Sequence, residues 1–223
     1  MRAHMSQAQS PLQRILAQRL IAVVTAPAGD SLVEIARALA LGGIDLLAVP
    51  AAAPDAANVI ADLADDPTIV VGVTDVVSVD QIALAVASGA QFVVCPACER
   101  DILSMCRANG LAVIAGGATP AELYAASSLG PDLITVFPAA MLGGPAYLRL
   151  LGRTFPGLPI AAAGGLDVDT APNYLEAGAR AVIVDRGLFP DTIEEGSAHI
   201  VRMRASALVE VCASISDGRQ SRP

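Results

Sequence analysis

Three groups of residues in this 223-residue chain have types and spacings that could do chemistry. The first is a pair of glycine turns, Gly164-Gly165-Leu166-Asp167 and Asp185-Arg186-Gly187. A glycine loop ahead of a helix N-terminus can cradle an anion on its amides. Arg186 would favour that use, whereas Asp167 and Asp185 would repel a phosphate. Asp167 has a second reading as a helix cap. The second group is Gly72-Val73-Thr74-Asp75. Asp75 would accept a hydrogen bond from a hydroxylated ligand, pair with Arg186, or cap the helix that begins near Ser78. The third is Cys95-Pro96-Ala97-Cys98, with Cys106 further along the same predicted helix. A thiol at a helix N-terminus is activated as thiolate. Cysteines at these positions are equally suited to fill a core, and a zinc site would lack its fourth ligand.

The basic complement restricts the chemistry. Its 14 residues are all arginine, and no lysine occurs in the chain. A guanidinium stays protonated and cannot act as an amine nucleophile. His4 and His199 fall on an N-terminal arm and on the last helix. Asp75, Asp167 and Asp185 belong to three different strands, so no metal and no cofactor is expected. The net charge of −8 and the absence of a basic run argue against nucleic-acid binding. No apolar run reaches the roughly 20 residues of a membrane helix. The opening residues lack a secretory pattern. Four cysteines without a disulfide-framework spacing fit a reducing, cytoplasmic setting.

The elements that must position these groups are legible. Short apolar runs, LIAVVTA, IDLLAV, TIVVGV, QFVVC, LAVIAG, DLITVF, LPIAAA and RAVIVD, read as strands buried on both faces. Helical spacing separates them, as at Leu32, Ile35, Ala36 and Leu39. Ser31 with Glu34, Ser78 with Gln81 and Thr119 with Glu122 form potential capping boxes. Glycines punctuate the helix ends in LALGGIDLL, VASGAQFVV, RANGLAVI, SSLGPDLI and LEAGARAVI. Eight such units predict an α/β chain folded as a single (β/α)8 TIM barrel spanning 11–215. An open doubly wound sheet would want a glycine fingerprint after the first strand, which VVTAPAGDS lacks. PLQRILAQRL is an extra N-terminal helix over the barrel base. Residues 1–10 read as a disordered arm or cloning remnant, with Met5 a possible native start, and 216–223 as a frayed tail. With aromatic residues at 3 %, the core must be built of Ala, Val, Leu and Ile.

The order and spacing of four further stretches resemble the keto-deoxy-phosphogluconate/keto-hydroxyglutarate (KDPG/KHG) aldolase family. They are ARALALGGIDLLAV, SGAQFVVCP, VFPAAMLGGPAYLRLL and IAAAGGLDVDTAPNYLEAGARAV. The resemblance covers nearly the whole chain. It implies a barrel, usually a homotrimer, that splits a keto acid reversibly to release pyruvate. In that family a lysine on the sixth strand forms a Schiff base, the electron sink for carbon–carbon cleavage.

The chain departs from the family at each reactive position. The lysine of the Phe-Lys-Phe-Phe-Pro run is Thr135 in Ile134-Thr135-Val136-Phe137-Pro138. The general acid/base glutamate and the carboxylate-binding arginine of the Leu-Glu-Val-Thr-Leu-Arg segment are Ala48 and Ala52 in Leu47-Ala48-Val49-Pro50-Ala51-Ala52. Chemistry and positioning are lost together, and no catalytic residue of the family is retained. The expected activity is therefore that of an aldolase-like barrel without Schiff-base chemistry, which binds a small anionic or keto-acid ligand. Candidate lining residues are Thr74, Asp75, Cys95, Gly116, Thr135, Phe137, Gly164, Gly165 and Arg186. The competing readings are a lysine-independent lyase of 2-keto acids using Asp75 and Thr135, a thiol enzyme using Cys95, and a purely structural barrel.

Overall fold

The computed structural model describes residues 9–25, 32–189 and 197–215. Eight strands follow one another among these residues. They are β1 (Leu20–Val23), β2 (Leu46–Pro50), β3 (Val70–Thr74), β4 (Phe92–Cys95), β5 (Ala112–Ala115), β6 (Ile134–Val136), β7 (Ile160–Ala162) and β8 (Ala181–Val184). Helix α1 (Pro11–Gln18) precedes β1. The others are α2 (Leu32–Leu41), α3 (Ala56–Ala64), α4 (Val79–Ala87), α5 (Arg100–Ala108), α6 (Pro120–Leu129), α7 (Gly144–Thr154), α8 (Ala171–Glu176) and α9 (Ser197–Ala213).

All strand pairs are parallel, in the order β5-β4-β3-β2-β1-β8-β7-β6. The bridges Ile114–Leu133 and Gly117–Val136 join β5 to β6 and close the ring. The expected (β/α)8 barrel is therefore the observed fold, and the open sheet is not. Closure depends on Gly116. A Cβ there would lie 2.0 Å from the Thr135 carbonyl oxygen, so any side chain would force β5 away from β6.

Successive strand residues point to opposite faces, and the core divides accordingly. Ile21, Val23, Leu46, Ala48, Val70, Phe92, Val94, Ala112, Ile114, Leu133, Ala161, Ala163, Ala181 and Ile183 form the cluster inside the barrel. Their neighbours, including Ala22, Val93, Cys95, Ile134 and Val136, pack in the larger cluster with helix residues. Phe92 fills the lower interior where Gly72 has no side chain; a Cβ on Gly72 would meet its ring at 2.6 Å. Alanines at positions 48, 161, 163 and 181 supply the small side chains of this inner cluster.

The expected base helix is α1. Ser10 and Gln13 cap it reciprocally, and its Ile15 is fully buried within the barrel cluster. Arg14 forms an ion pair with Asp45, and Gln18 donates to the Gly43 carbonyl at 2.6 Å. The boxes at Ser78/Gln81 and Thr119/Glu122 are formed. Ser31, and with it the third box, lies outside the described residues. So do residues 1–8 of the expected 1–10 arm, whose last residue, Ser10, is instead the N-cap of α1, and 216–223, the expected tail. The five expected helix-end glycines, Gly43, Gly89, Gly110, Gly130 and Gly178, all have positive φ. Among the described residues no helix is long and apolar enough to cross a membrane.

Candidate functional site at the barrel mouth

At the C-terminal ends of the strands lies a cavity of about 50 Å³. Thr74, Asp75, Cys95, Thr135, Phe137 and Gly164 line it, together with Val23, Val94, Pro96, Ala163, Ile183 and Asp185. Six of the nine candidate lining residues are thus brought together. Larger clefts, of about 270 and 470 Å³, open around Arg19 at the other end of the barrel. Neither contains a candidate site residue from the sequence. Active sites of such barrels sit at the C-terminal ends of the strands, so the small cavity is the candidate.

Thr135 is only 1 % exposed, and its Oγ1 has no hydrogen-bond partner. It follows Leu133 on the inward face of β6 and points into the cavity wall. A buried hydroxyl without a partner is costly, which makes it a place where a ligand group or water would be welcome. Ala48, at the family's glutamate position, is fully buried on the inward face of β2. Ala52 is exposed in the turn after β2.

Asp185 has one oxygen committed and one free. Its Oδ2 accepts the Gly165 amide hydrogen at 3.1 Å, whereas Oδ1 is buried without a partner. Gly164 and Gly165 adopt φ of +88° and +78°, and Gly164 lies against the Phe137 ring, 2.8 Å from where its Cβ would be. The glycine turn is therefore built as expected, but an internal carboxylate occupies the amide that would face a phosphate. Asp167 contributes no ligand contact. Its Oδ1 accepts from the Asp169 and Thr170 amides and from Thr170 Oγ1 at 2.6 Å. Those bonds, the Thr170 hydroxyl first, hold its carboxyl below the usual range despite partial burial. This is the turn-capping role, placed ahead of α8.

Asp75 follows β3 at the exposed rim of the mouth, with φ of +60°. Burial, and secondarily the charge of Asp185, raises its carboxyl above the usual range. The two carboxylates face the same cavity. The capping role considered for Asp75 belongs to Ser78, whose Oγ accepts from the Gln81 amide at 3.4 Å. Its possible pairing with Arg186 is not formed; Arg186 is exposed and does not line the cavity. Gly116 lines a neighbouring cavity of about 360 Å³ instead, with Cys98 and Phe137.

The geometry around Cys95 does not favour the thiol reading. Cys95 lines the cavity, but its side chain is fully buried and belongs to the cluster between sheet and helices. Burial above all, with Cys106, Cys98 and Glu99 adding to it, pushes the thiol up to about 12. Helix α5 begins only at Arg100, so neither Cys95 nor Cys98 sits in its first turn. The parity of β4 carried the signal: Phe92 and Val94 point inward, hence Cys95 points out. The same parity, running from Ala181 through Ile183, would have marked Asp185 as inward-facing.

His199 is exposed on α9, and His4 lies outside the described residues. Among the described residues no three His, Cys, Asp or Glu side chains gather where they could hold a metal ion. What remains is a closed parallel barrel with a polar, acidic mouth that lacks an amine.

The chain belongs to the KDPG and KHG aldolase family, which it matches over residues 12–203. It is 32 % identical to the 2-dehydro-3-deoxy-phosphogluconate aldolase of Treponema pallidum, over 70 % of this chain and 75 % of that one. It is 26 % identical to the KHG/KDPG aldolase of Escherichia coli, over 86 % of this chain and 91 % of that one. Among solved structures, the KDPG aldolase of Legionella pneumophila superposes with a TM-score of 0.72 at 26 % identity. That comparison covers 93 % of this chain and 98 % of the other, which was captured with pyruvate as a covalent carbinolamine intermediate.

Proposed function

We propose that this chain is a divergent KDPG/KHG aldolase-family barrel without class I aldolase activity, which retains its mouth as a binding site for a small polar metabolite. The observation that carries the reading is Thr135. It stands at the family's lysine position, inward-facing and 1 % exposed, in a chain with no lysine. A hydroxyl forms no iminium, so a bound ketone has no electron sink. The replacement of glutamate by Ala48 removes the proton shuttle as well. Of the ligands that family membership implies, a keto acid is the one the mouth charge opposes. Its carboxylate would meet Asp75 and Asp185 without the arginine that Ala52 replaces.

Incubation with pyruvate and borohydride followed by mass measurement tests this. No adduct is expected; a covalent pyruvate adduct would sink the reading. A lyase acting on 2-keto acids without lysine is the second reading, favoured by the raised carboxyl of Asp75, which suits a general acid. Turnover of keto-acid substrates, with and without chelator, decides between them.

The assembly and location follow the family by inference. A homotrimer is expected and light scattering checks it. The free thiols Cys95, Cys98, Cys106 and Cys212 support a reducing, cytoplasmic setting.

A further inference from the structure

Two buried oxygens without partners and one exposed carboxylate line the mouth. Thr135 Oγ1 and Asp185 Oδ1 are both buried and unpartnered. Asp75 lines the same cavity from its exposed rim, where its carboxylate is open to solvent. A hydroxyl can turn its own proton, but two carboxylates cannot; ionised, they only accept. Among the described residues nothing positively charged lines this cavity, and Arg186 is not one of its lining residues. The mouth therefore has the opposite sign from a phosphate or keto-acid site.

From this we infer that the mouth binds a small primary ammonium group, held by Asp75, Asp185 and Thr135. An ammonium brings three N–H donors and one positive charge. It thus supplies a donor to each of the two buried oxygens, Thr135 Oγ1 and Asp185 Oδ1, leaves a third N–H for Asp75 at the rim, and offsets the mutual repulsion of the carboxylates. The 50 Å³ of space suits such a headgroup, with the remainder of the ligand outside the barrel. A hydrated divalent cation fits less well, because no third carboxylate or histidine joins the pair. An anion is refused at the glycine turn, where Asp185 already holds the Gly165 amide. This inference deepens the reading of the mouth as a ligand site, and names the ligand's reactive end as an amine rather than a ketone.

The test is a two-dimensional amide NMR titration of the full chain with methylammonium chloride, against sodium chloride at equal ionic strength. Saturable shifts are expected at the amides of Asp75, Gly165 and the residues flanking Thr135. Asp185→Asn keeps an oxygen for Gly165 while removing the charge, and is expected to weaken binding about tenfold or more, as loss of one charge-assisted hydrogen bond should. Thr135→Val preserves shape and is expected to weaken binding by a smaller factor. Equal responses to methylammonium and sodium would overturn the inference. So would undiminished binding in both variants, saturation of the same amides by inorganic phosphate, or saturation by magnesium chloride while methylammonium is silent. The borohydride experiment is independent: a pyruvate adduct would end the proposed function, whereas a failed amine titration would leave it standing with a different ligand.

Discussion

Asp185 Oδ2 accepts the Gly165 amide hydrogen at 3.1 Å, so the glycine turn that could hold an anion is already satisfied by the protein's own carboxylate. The relationship spans two strands. Gly165 follows β7, and Asp185 follows β8. Removing the carboxylate would free the amide and lower the negative charge beside it. Asp185→Ala is thus expected to bind inorganic phosphate at least about tenfold more tightly than the parent chain. Phosphate titration monitored at the Gly165 amide checks this. No gain in phosphate affinity would mean that the turn is not an anion site even when vacated.

The missing amine can be put back. Thr135 and Ala48 both face the barrel interior, so Thr135→Lys with Ala48→Glu places amine and carboxylate on the strands where the family carries them. Borohydride trapping with pyruvate is expected to label the double variant and not the parent. Burial lowers the pKa of the introduced lysine, and the mouth carboxylates raise it. Labelling should therefore increase with pH. An unlabelled but folded variant would show that more than the amine has been lost.

Gly116 tests how the ring is closed. Its missing Cβ makes room for the Thr135 carbonyl at 2.0 Å, and rigid backbone cannot yield as a side-chain end can. Gly116→Ala is expected to destabilise the fold by about 2 kcal/mol or more, measured as a lower urea midpoint. Gly152→Ala, where a Cβ meets nothing within 4 Å, is the control and should stay near the parent.

Asp75 predicts a pH signature. Its carboxyl is raised in the folded state from the ordinary 3.8, by burial first and Asp185 second. The folded chain therefore holds this proton more tightly than the unfolded chain. The associated stability is fully present below about 3.8 and is lost as pH rises through the higher folded value. Asp75→Asn should raise the melting temperature relative to the parent near pH 7, and the difference should vanish near pH 3. The asparagine also tolerates the left-handed φ of +60°. A constant difference at both pH values would place the effect elsewhere.

The thiols should react in order. Cys98 is half-buried, whereas Cys95 and Cys106 are buried and pushed up to about 12 and about 11. A disulfide reagent at neutral pH is expected to modify Cys98 first and to reach Cys95 only on unfolding. Rapid native labelling of Cys95 would restore the thiol reading.

The fold was legible because its signals are local. Each of the eight apolar runs became a strand, and the boxes at Ser78 and Thr119 became caps. Both follow from hydrogen bonds made within a few residues. The absence of lysine was equally plain, since no folding can supply a missing amine. Strand parity was readable but needed a fixed reference face. Without one, Cys95 passed for a thiol directed into the mouth; it borders the cavity, but its side chain packs between sheet and helices because Phe92 and Val94 take the inward positions beside it.

The amino-acid order alone determined the barrel, its glycine stops and the absence of any lysine, because these depend on residue type and near neighbours. Only the closed ring decided the character of the mouth. Asp75 and Asp185 stand 110 positions apart in the chain, and Thr135 lies between them on a third strand. Their meeting in one cavity, and the taking of Gly165 by Asp185, are consequences of curvature that brings distant strand ends within reach of one charge field.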